Sequence, residues 1–127
     1  MIKETEHGEQ SALMQWWEYY CQQVRIPEYL LFAIPNGGKR SPVTGSILKA
    51  EGVRRGIPDL MLAVPCDDYA GLFIEMKVKS GRVAPIQKCV LEALSEAGYS
   101  TRVCYGFEEA QYAIMGYLSR PRTKQWG

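Results

Sequence analysis

The sequence predicts a single α/β domain. Apolar residues recur at helical spacing in three long segments, and short apolar runs bounded by turn residues stand between these segments. A chain of 127 residues is long enough to bury one sizeable core, and no internal repeat or linker divides the sequence. We therefore expect one domain over residues 1–127, with a core at about residues 6–118 and a flexible tail at residues 119–127.

The first half of the chain is expected to hold one long helix and one strand. Helical spacing of apolar residues predicts a helix over residues 6–25, and Pro27 ends it. A strand is predicted at residues 29–34, where the turn sequence at residues 35–38 ends it. Residues 45–55 are compatible with a further short helix.

The second half is expected to hold a hairpin, two helices and a strand. The hairpin covers residues 59–78, and a helix follows at residues 84–97, closed by Gly98. A strand is predicted at residues 100–105 and a last helix at residues 107–118. The residues expected on the buried faces of these two helices are Ile86, Val90, Leu91, Leu94, Ala110, Ala113, Ile114 and Leu118.

Two acids at the ends of the hairpin strands are the most informative residues of the chain. Asp59 precedes one apolar run and Glu75 follows the other, with 15 residues between them. If the two strands are antiparallel neighbours, both carboxylates lie at the same end of the hairpin. Lys77 is two positions after Glu75 and therefore points to the same face of the strand. Two carboxylates and one ammonium group at one place can hold a hard divalent cation and activate a water.

The amino-acid composition indicates which metal ions and which class of protein are favoured. Charged residues make up 23% and hydrophobic residues 46%, which is ordinary for a soluble globular protein. No apolar run reaches the length of a membrane span, and the N-terminus does not resemble a signal peptide. His7 is the single histidine, so a histidine cluster for zinc is excluded, and oxygen-ligated Mg²⁺ or Mn²⁺ is favoured. The widely spaced cysteines suit reduced, structural residues of a cytoplasmic protein: Cys21, Cys66, Cys89 and Cys104.

A net charge of +1 conceals a basic segment. Between residues 39 and 55 there are five basic residues and one acid, Glu51. Basic residues beside a carboxylate cluster suit a phosphodiester substrate, because they neutralise its backbone while the acids hold the metal. The alternative is an ordinary solvated loop.

Several motifs follow one another along the chain: residues 34–40, Pro58-Asp59 within residues 48–60, Glu75-Met76-Lys77 within residues 71–77, Gln87, and Gly98-Tyr99. In this order they resemble the virus-type replication-repair nuclease (VRR-NUC) domain of the PD-(D/E)xK nuclease superfamily. The resemblance spans roughly residues 6–118 and is closest to the stand-alone, phage-encoded form. It implies a restriction-endonuclease-like α/β core with a central mixed sheet flanked by helices.

The resemblance also implies a role for each residue of the site. Asp59 and Glu75 would bind the metal, with the backbone carbonyl of Met76 as a third ligand. Lys77 would position or deprotonate the attacking water, or stabilise charge on the phosphorus centre. Gln87, on the helix over the site, would touch water or phosphate.

An acid on the first helix usually completes the cluster in such enzymes. Glu6 and Glu9 share a helical face with the apolar residues of that helix, and we favour Glu9 because it lies closest to them. A solvated helix face explains Glu9 and Gln87 about as well. The residues expected to contact DNA are Asn36, Gly37, Lys39, Arg40, Lys49, Arg54 and Arg55.

The function expected from these features is metal-dependent hydrolysis of DNA phosphodiesters that leaves a 5′-phosphate and a 3′-hydroxyl. Cutting two strands symmetrically at a four-way junction requires two active sites, so we expect a homodimeric, Holliday-junction resolvase-like enzyme. Two alternatives remain: a flap or general DNA nuclease, and a DNA-binding module without catalysis. The expected dimer contacts are aromatic and apolar residues of the first and last helices: Trp16, Trp17, Tyr20, Tyr112, Met115 and Tyr117.

Overall fold

A computed structural model of the protein describes residues 5–35 and 42–126. These described residues form nine elements, and the order of the helices and strands agrees with the sequence-based expectation, short helix included. They are α1 (Glu6–Val24), one 3₁₀ turn (Glu28–Leu30), β1 (Leu31–Ala33), α2 (Pro42–Ala50), β2 (Leu60–Leu62), β3 (Leu72–Lys77), α3 (Pro85–Glu96), β4 (Ser100–Tyr105) and α4 (Phe107–Leu118).

The four strands form one mixed sheet in the order β1-β2-β3-β4. The first three strands are antiparallel neighbours, whereas β3 and β4 are parallel because α3 connects them. The expected α/β fold, with a central mixed sheet flanked by helices, is therefore confirmed. Strand β1 is shorter than expected, because residues 28–30 form the 3₁₀ turn instead, and Trp17 Nε1 donates a hydrogen bond to the Glu28 carbonyl there (3.0 Å).

One face of the sheet packs against α1 and α4 and forms the core. Successive strand residues point to opposite faces, so Leu72, Ile74 and Met76 of β3 enter this core while Phe73, Glu75 and Lys77 face the other way. Helix α3 packs against β4 more loosely. The buried face expected for α3 is therefore only in part covered: Ile86 is 44% exposed, and Val90, Leu91 and Leu94 are half-buried.

Two further expectations about the helices and the tail change in the structure. Trp17 and Tyr117 are buried in the core, so neither is available as a dimer contact. The tail, expected to fray, is hydrogen-bonded to the rest of the domain: the Asp67 N–H donates to the Pro121 carbonyl (2.7 Å) and Arg122 Nη1 to the Val24 carbonyl (3.4 Å). These bonds hold residues 121 and 122 against the β2–β3 turn and the end of α1. No described helix is long and apolar enough to span a membrane.

Candidate active site

The hairpin places the two predicted acids side by side, as the sequence analysis expected. Leu60 pairs with Ile74, so the next position along each strand sets Asp59 opposite Glu75. Asp59 Oδ2 accepts a hydrogen bond from the Met76 N–H (2.7 Å). This bond extends the β2–β3 ladder beyond β2, which begins at Leu60, because the Asp59 side chain takes the place of a backbone acceptor. The Asp59 side chain is thereby fixed against the end of β3.

Glu75 is the centre of the site. The residue is almost fully buried, with 2% of its surface exposed. One of its carboxylate oxygens, Oε2, is contacted by two donor groups. Lys77 Nζ lies 3.2 Å from Glu75 Oε2, and Gln87 Nε2 donates to the same Oε2 at 3.0 Å. Burial and the neighbouring Asp59 carboxylate raise the Glu75 pKa to about 7, and Lys77 offsets part of this effect.

Gln87 connects α3 to the site in a defined orientation. Its Oε1 accepts the N–H of Ala84 (2.8 Å), the residue that precedes the helix. Because the carbonyl oxygen of the amide is used there, the NH₂ group is the end that faces Glu75. Gln87 therefore caps α3 and orients the Glu75 carboxylate at the same time. The structure brings Asp59, Glu75, Lys77 and Gln87 together as predicted.

Glu9 has a different set of contacts. Its Oε1 accepts the N–H of Phe107 (3.0 Å) at the start of α4, where an acid is favoured by the helix dipole. Among residues 5–35 and 42–126 no group of three His, Cys, Asp or Glu side chains is placed to hold a metal. The described residues thus show Glu9 as a cap of α4, and its membership of the metal cluster stays a prediction.

The predicted DNA contacts fall into two sets. Lys49, Arg54 and Arg55 are exposed and form no ion pair with any described residue, so their charges are free for phosphates. They precede Asp59 in the chain, on α2 and on the segment between α2 and β2. Asn36, Gly37, Lys39 and Arg40 lie outside the described residues.

The role of Gly56 was not predicted from the sequence. Its φ of +85° is one that L side chains rarely adopt, and a Cβ there would lie 3.0 Å from both the carbonyl oxygen and the Cγ1 atom of Ile86. The segment that ends in Asp59 thus rests directly on the first turn of α3, one residue before Gln87. A glycine three residues before a candidate ligand, at the end of a basic segment, was the available signal for such a tight turn.

We expect Gly56→Ala to lower cleavage activity well beyond its effect on stability. The added methyl group would push the Asp59 segment away from α3 and so separate Asp59 from Glu75. Gly52→Ala is the matched control, because Gly52 has a φ of +100° but no atom within 4 Å of its Cβ position. Both variants should lose about 1–2 kcal/mol of stability from backbone strain, measured by urea unfolding. Equal activities of the two variants would contradict the positioning role of Gly56.

The donor set suits a hard divalent cation. Mg²⁺ typically takes one or two carboxylates from the protein and completes its shell with waters and substrate phosphates. Asp59 and Glu75 are two such carboxylates, adjacent and in part withdrawn from water. A bound cation would relieve the repulsion that raises the Glu75 pKa. The residues present therefore fit Mg²⁺ or Mn²⁺, which prefer oxygen ligands, better than zinc, which prefers histidine or cysteine.

Comparison with known proteins gives the same family as the motifs. The family model of the VRR-NUC domain matches residues 4–108. A solved structure described as a VRR_NUC domain protein superposes with a TM-score of 0.78 and 24% sequence identity, over 95% of this chain and 93% of that chain. At this identity the likeness shows the fold alone. A search of curated proteins found no match.

Proposed function

The chain belongs to the VRR-NUC domain family of nucleases, and we propose that it is a metal-dependent, structure-selective DNA endonuclease that acts on branched DNA as a homodimer. The observation that supports this most is the convergence of Asp59, Glu75, Lys77 and Gln87 on one face of the sheet. Burying a carboxylate beside a second carboxylate costs free energy, and a bound cation would offset that cost. Such pairs are therefore typical of functional sites.

Asp59 and Glu75 would hold the cation, which supplies positive charge to the scissile phosphate and makes a water easier to deprotonate. The Lys77 ammonium lies against Glu75 Oε2 with 11% of its side chain exposed, so it presents a desolvated charge to the reacting group. Such a charge stabilises the phosphorane-like transition state more than the ground state. Gln87 keeps the Glu75 carboxylate in one orientation throughout.

The bond changes follow from the proposed products. The oxygen of a water attacks phosphorus, the bond between phosphorus and the 3′-oxygen breaks, and a proton reaches that oxygen. The fragments carry a 5′-phosphate and a 3′-hydroxyl. Lys49, Arg54 and Arg55 would hold the flanking phosphates and give affinity without sequence preference, since phosphate contacts carry no base information.

A homodimer would suit a two-fold symmetric substrate, because each protomer would present one site to one of two equivalent strands. We expect the protein to be a dimer at micromolar concentration and to cut a synthetic mobile four-way junction in paired fashion, with linear duplex cut poorly. Light scattering and cleavage assays with Mg²⁺, Mn²⁺ or EDTA would measure this. A monomer that cuts flaps but ignores junctions would favour a flap nuclease, and metal-independent binding without cleavage would favour a DNA-binding module.

A further inference from the structure

A groove of about 500 Å³ runs between the outer edge of β4 and helix α4. Strand β4 is the last strand of the sheet, so no other described strand covers this edge. Four β4 residues line the groove: Ser100, Arg102 and Cys104 pair with the core-facing residues of β3, and Val103 between them pairs with Glu75. The helix on the other side of the groove, α4, packs on the core face of the sheet. The groove therefore lies on the opposite face of the sheet from Glu75 and is separate from the candidate active site.

Among the described residues, three charged ones line the groove: Arg102 of β4, and Glu109 and Arg120, which lie at opposite ends of α4. Glu109 lies near the start of α4 and Arg120 lies just beyond its end, and both line the groove. Their midpoint falls between residues 114 and 115. Ala113 and Gly116, which also line the groove, are equally far from that midpoint on its two sides. If a second α4 lay antiparallel in the groove, each Glu109 would face an Arg120, and the two small residues would lie at the crossing point.

The side chains at the groove are held in place yet remain exposed. Arg120 lies 3.6 Å from Asp67 and 5.2 Å from the centre of the Tyr69 ring, and Glu109 Oε1 accepts the Tyr105 N–H at 3.0 Å. These contacts keep both charges near the groove without burying them. Tyr112 is 69% exposed, and a large exposed aromatic of this kind is typical of a contact surface.

Gly116 adds an independent argument. It lies inside α4, where glycine is less favourable than alanine. A Cβ built at this position meets no atom within 4 Å, so nothing in the described part of the chain requires the absence of a side chain. Close approach of another backbone would require it.

We propose that this groove is the dimer interface, in which α4 and the outer edge of β4 pack against the same elements of a second copy, antiparallel about a two-fold axis. Glu109 near the start of α4 and Arg120 beyond its end suit a self-complementary partner, because an antiparallel second copy sets each charge opposite its counterpart. This inference rests on the homodimer of the proposed function and specifies its contact surface. If the two α4 helices lie side by side, the two-fold axis of the dimer is perpendicular to the sheet. The Glu75 residues of both copies would then face the same side of the dimer. One DNA molecule on that side could reach both sites.

The test uses paired charge reversal. Glu109→Arg alone and Arg120→Glu alone should each be monomeric by light scattering at concentrations where the wild type is dimeric, because each variant sets like charges opposite one another twice. Mixing the two variants should restore a heterodimer, since every facing pair is then opposite in charge. A role of these residues in protomer stability alone would not produce this recovery.

A second test leaves Glu109 and Arg120 unchanged and blocks the crossing point with a long side chain, and its control adds the same charge elsewhere. Gly116→Lys should also prevent dimerisation, while its matched control Gly45→Lys should not, since neither glycine has an atom within 4 Å of its Cβ position. Circular dichroism checks that both fold. If the wild type is dimeric and all these variants remain dimeric, this interface is wrong but the dimeric nuclease survives. A monomeric wild type would overturn the interface and the dimer together, whatever DNA it cuts.

Discussion

Asp59→Ala and Glu75→Ala are each expected to reduce DNA cleavage to about one-thousandth of the wild-type rate or less. Each change removes one of the two adjacent carboxylates that would hold the cation, and Asp59→Ala also leaves the Met76 N–H without its acceptor. DNA binding should persist or tighten, because negative charge near the phosphate is lost. Junction cleavage and gel-shift assays would measure both effects.

The control for this prediction is Asp68→Ala, which removes an exposed acid from the turn of the same hairpin and should leave cleavage unchanged. Near-normal cleavage by Asp59→Ala would remove the basis of the catalytic assignment. Cleavage lost equally in the control would point to a general electrostatic effect instead.

Glu75→Gln separates chemistry from stability. Glu75→Gln should reduce cleavage nearly as much as Glu75→Ala does, because an amide binds Mg²⁺ poorly. Burial and Asp59 raise the Glu75 pKa to about 7, above the ordinary carboxylate value, so the folded state binds this proton more tightly than the unfolded state does. The resulting stabilisation is complete at acidic pH, below the unfolded pKa, and is lost as pH rises through about 7. In EDTA, the melting temperature of the variant should therefore fall less between pH 5 and pH 8 than that of the wild type.

Lys77→Ala is expected to lower turnover by about a hundredfold or more, the usual effect of losing a positioned acid–base or electrostatic group. Metal binding should survive, since an ammonium is not a metal ligand. Single-turnover cleavage and calorimetry of Mn²⁺ binding would measure the two properties separately. Lys124→Ala, which removes an exposed positive charge from the tail, is the matched control.

A collapse of metal affinity in Lys77→Ala with cleavage retained would show that Lys77 only supports the Glu75 carboxylate. Loss of both properties would indicate that the contact between Lys77 Nζ and Glu75 Oε2 is needed to build the site. Only loss of turnover with metal binding intact agrees with the proposed role.

Local pattern in the sequence determined the elements of the fold and the centre of the site. The helical spacing of apolar residues predicted α1 and α4, and the residues of β4 were predicted without error. The convergence of Asp59, Glu75 and Lys77 was predictable because strand alternation and one hairpin turn fix their relation within about 20 residues of chain. The family motifs add Gln87, and the structure shows its contact with Glu75.

Tertiary structure decided the features that depend on contacts between distant segments. Glu9 lies on a helical face that suits several roles, and only the position of α4 shows that it accepts the Phe107 N–H. The burial of Trp17, the tight approach of Gly56 to Ile86 and the open space at Gly116 likewise depend on which elements become neighbours. The position of a residue along one helix or strand shows in which direction its side chain points. Which residue it contacts there depends on packing across the whole domain.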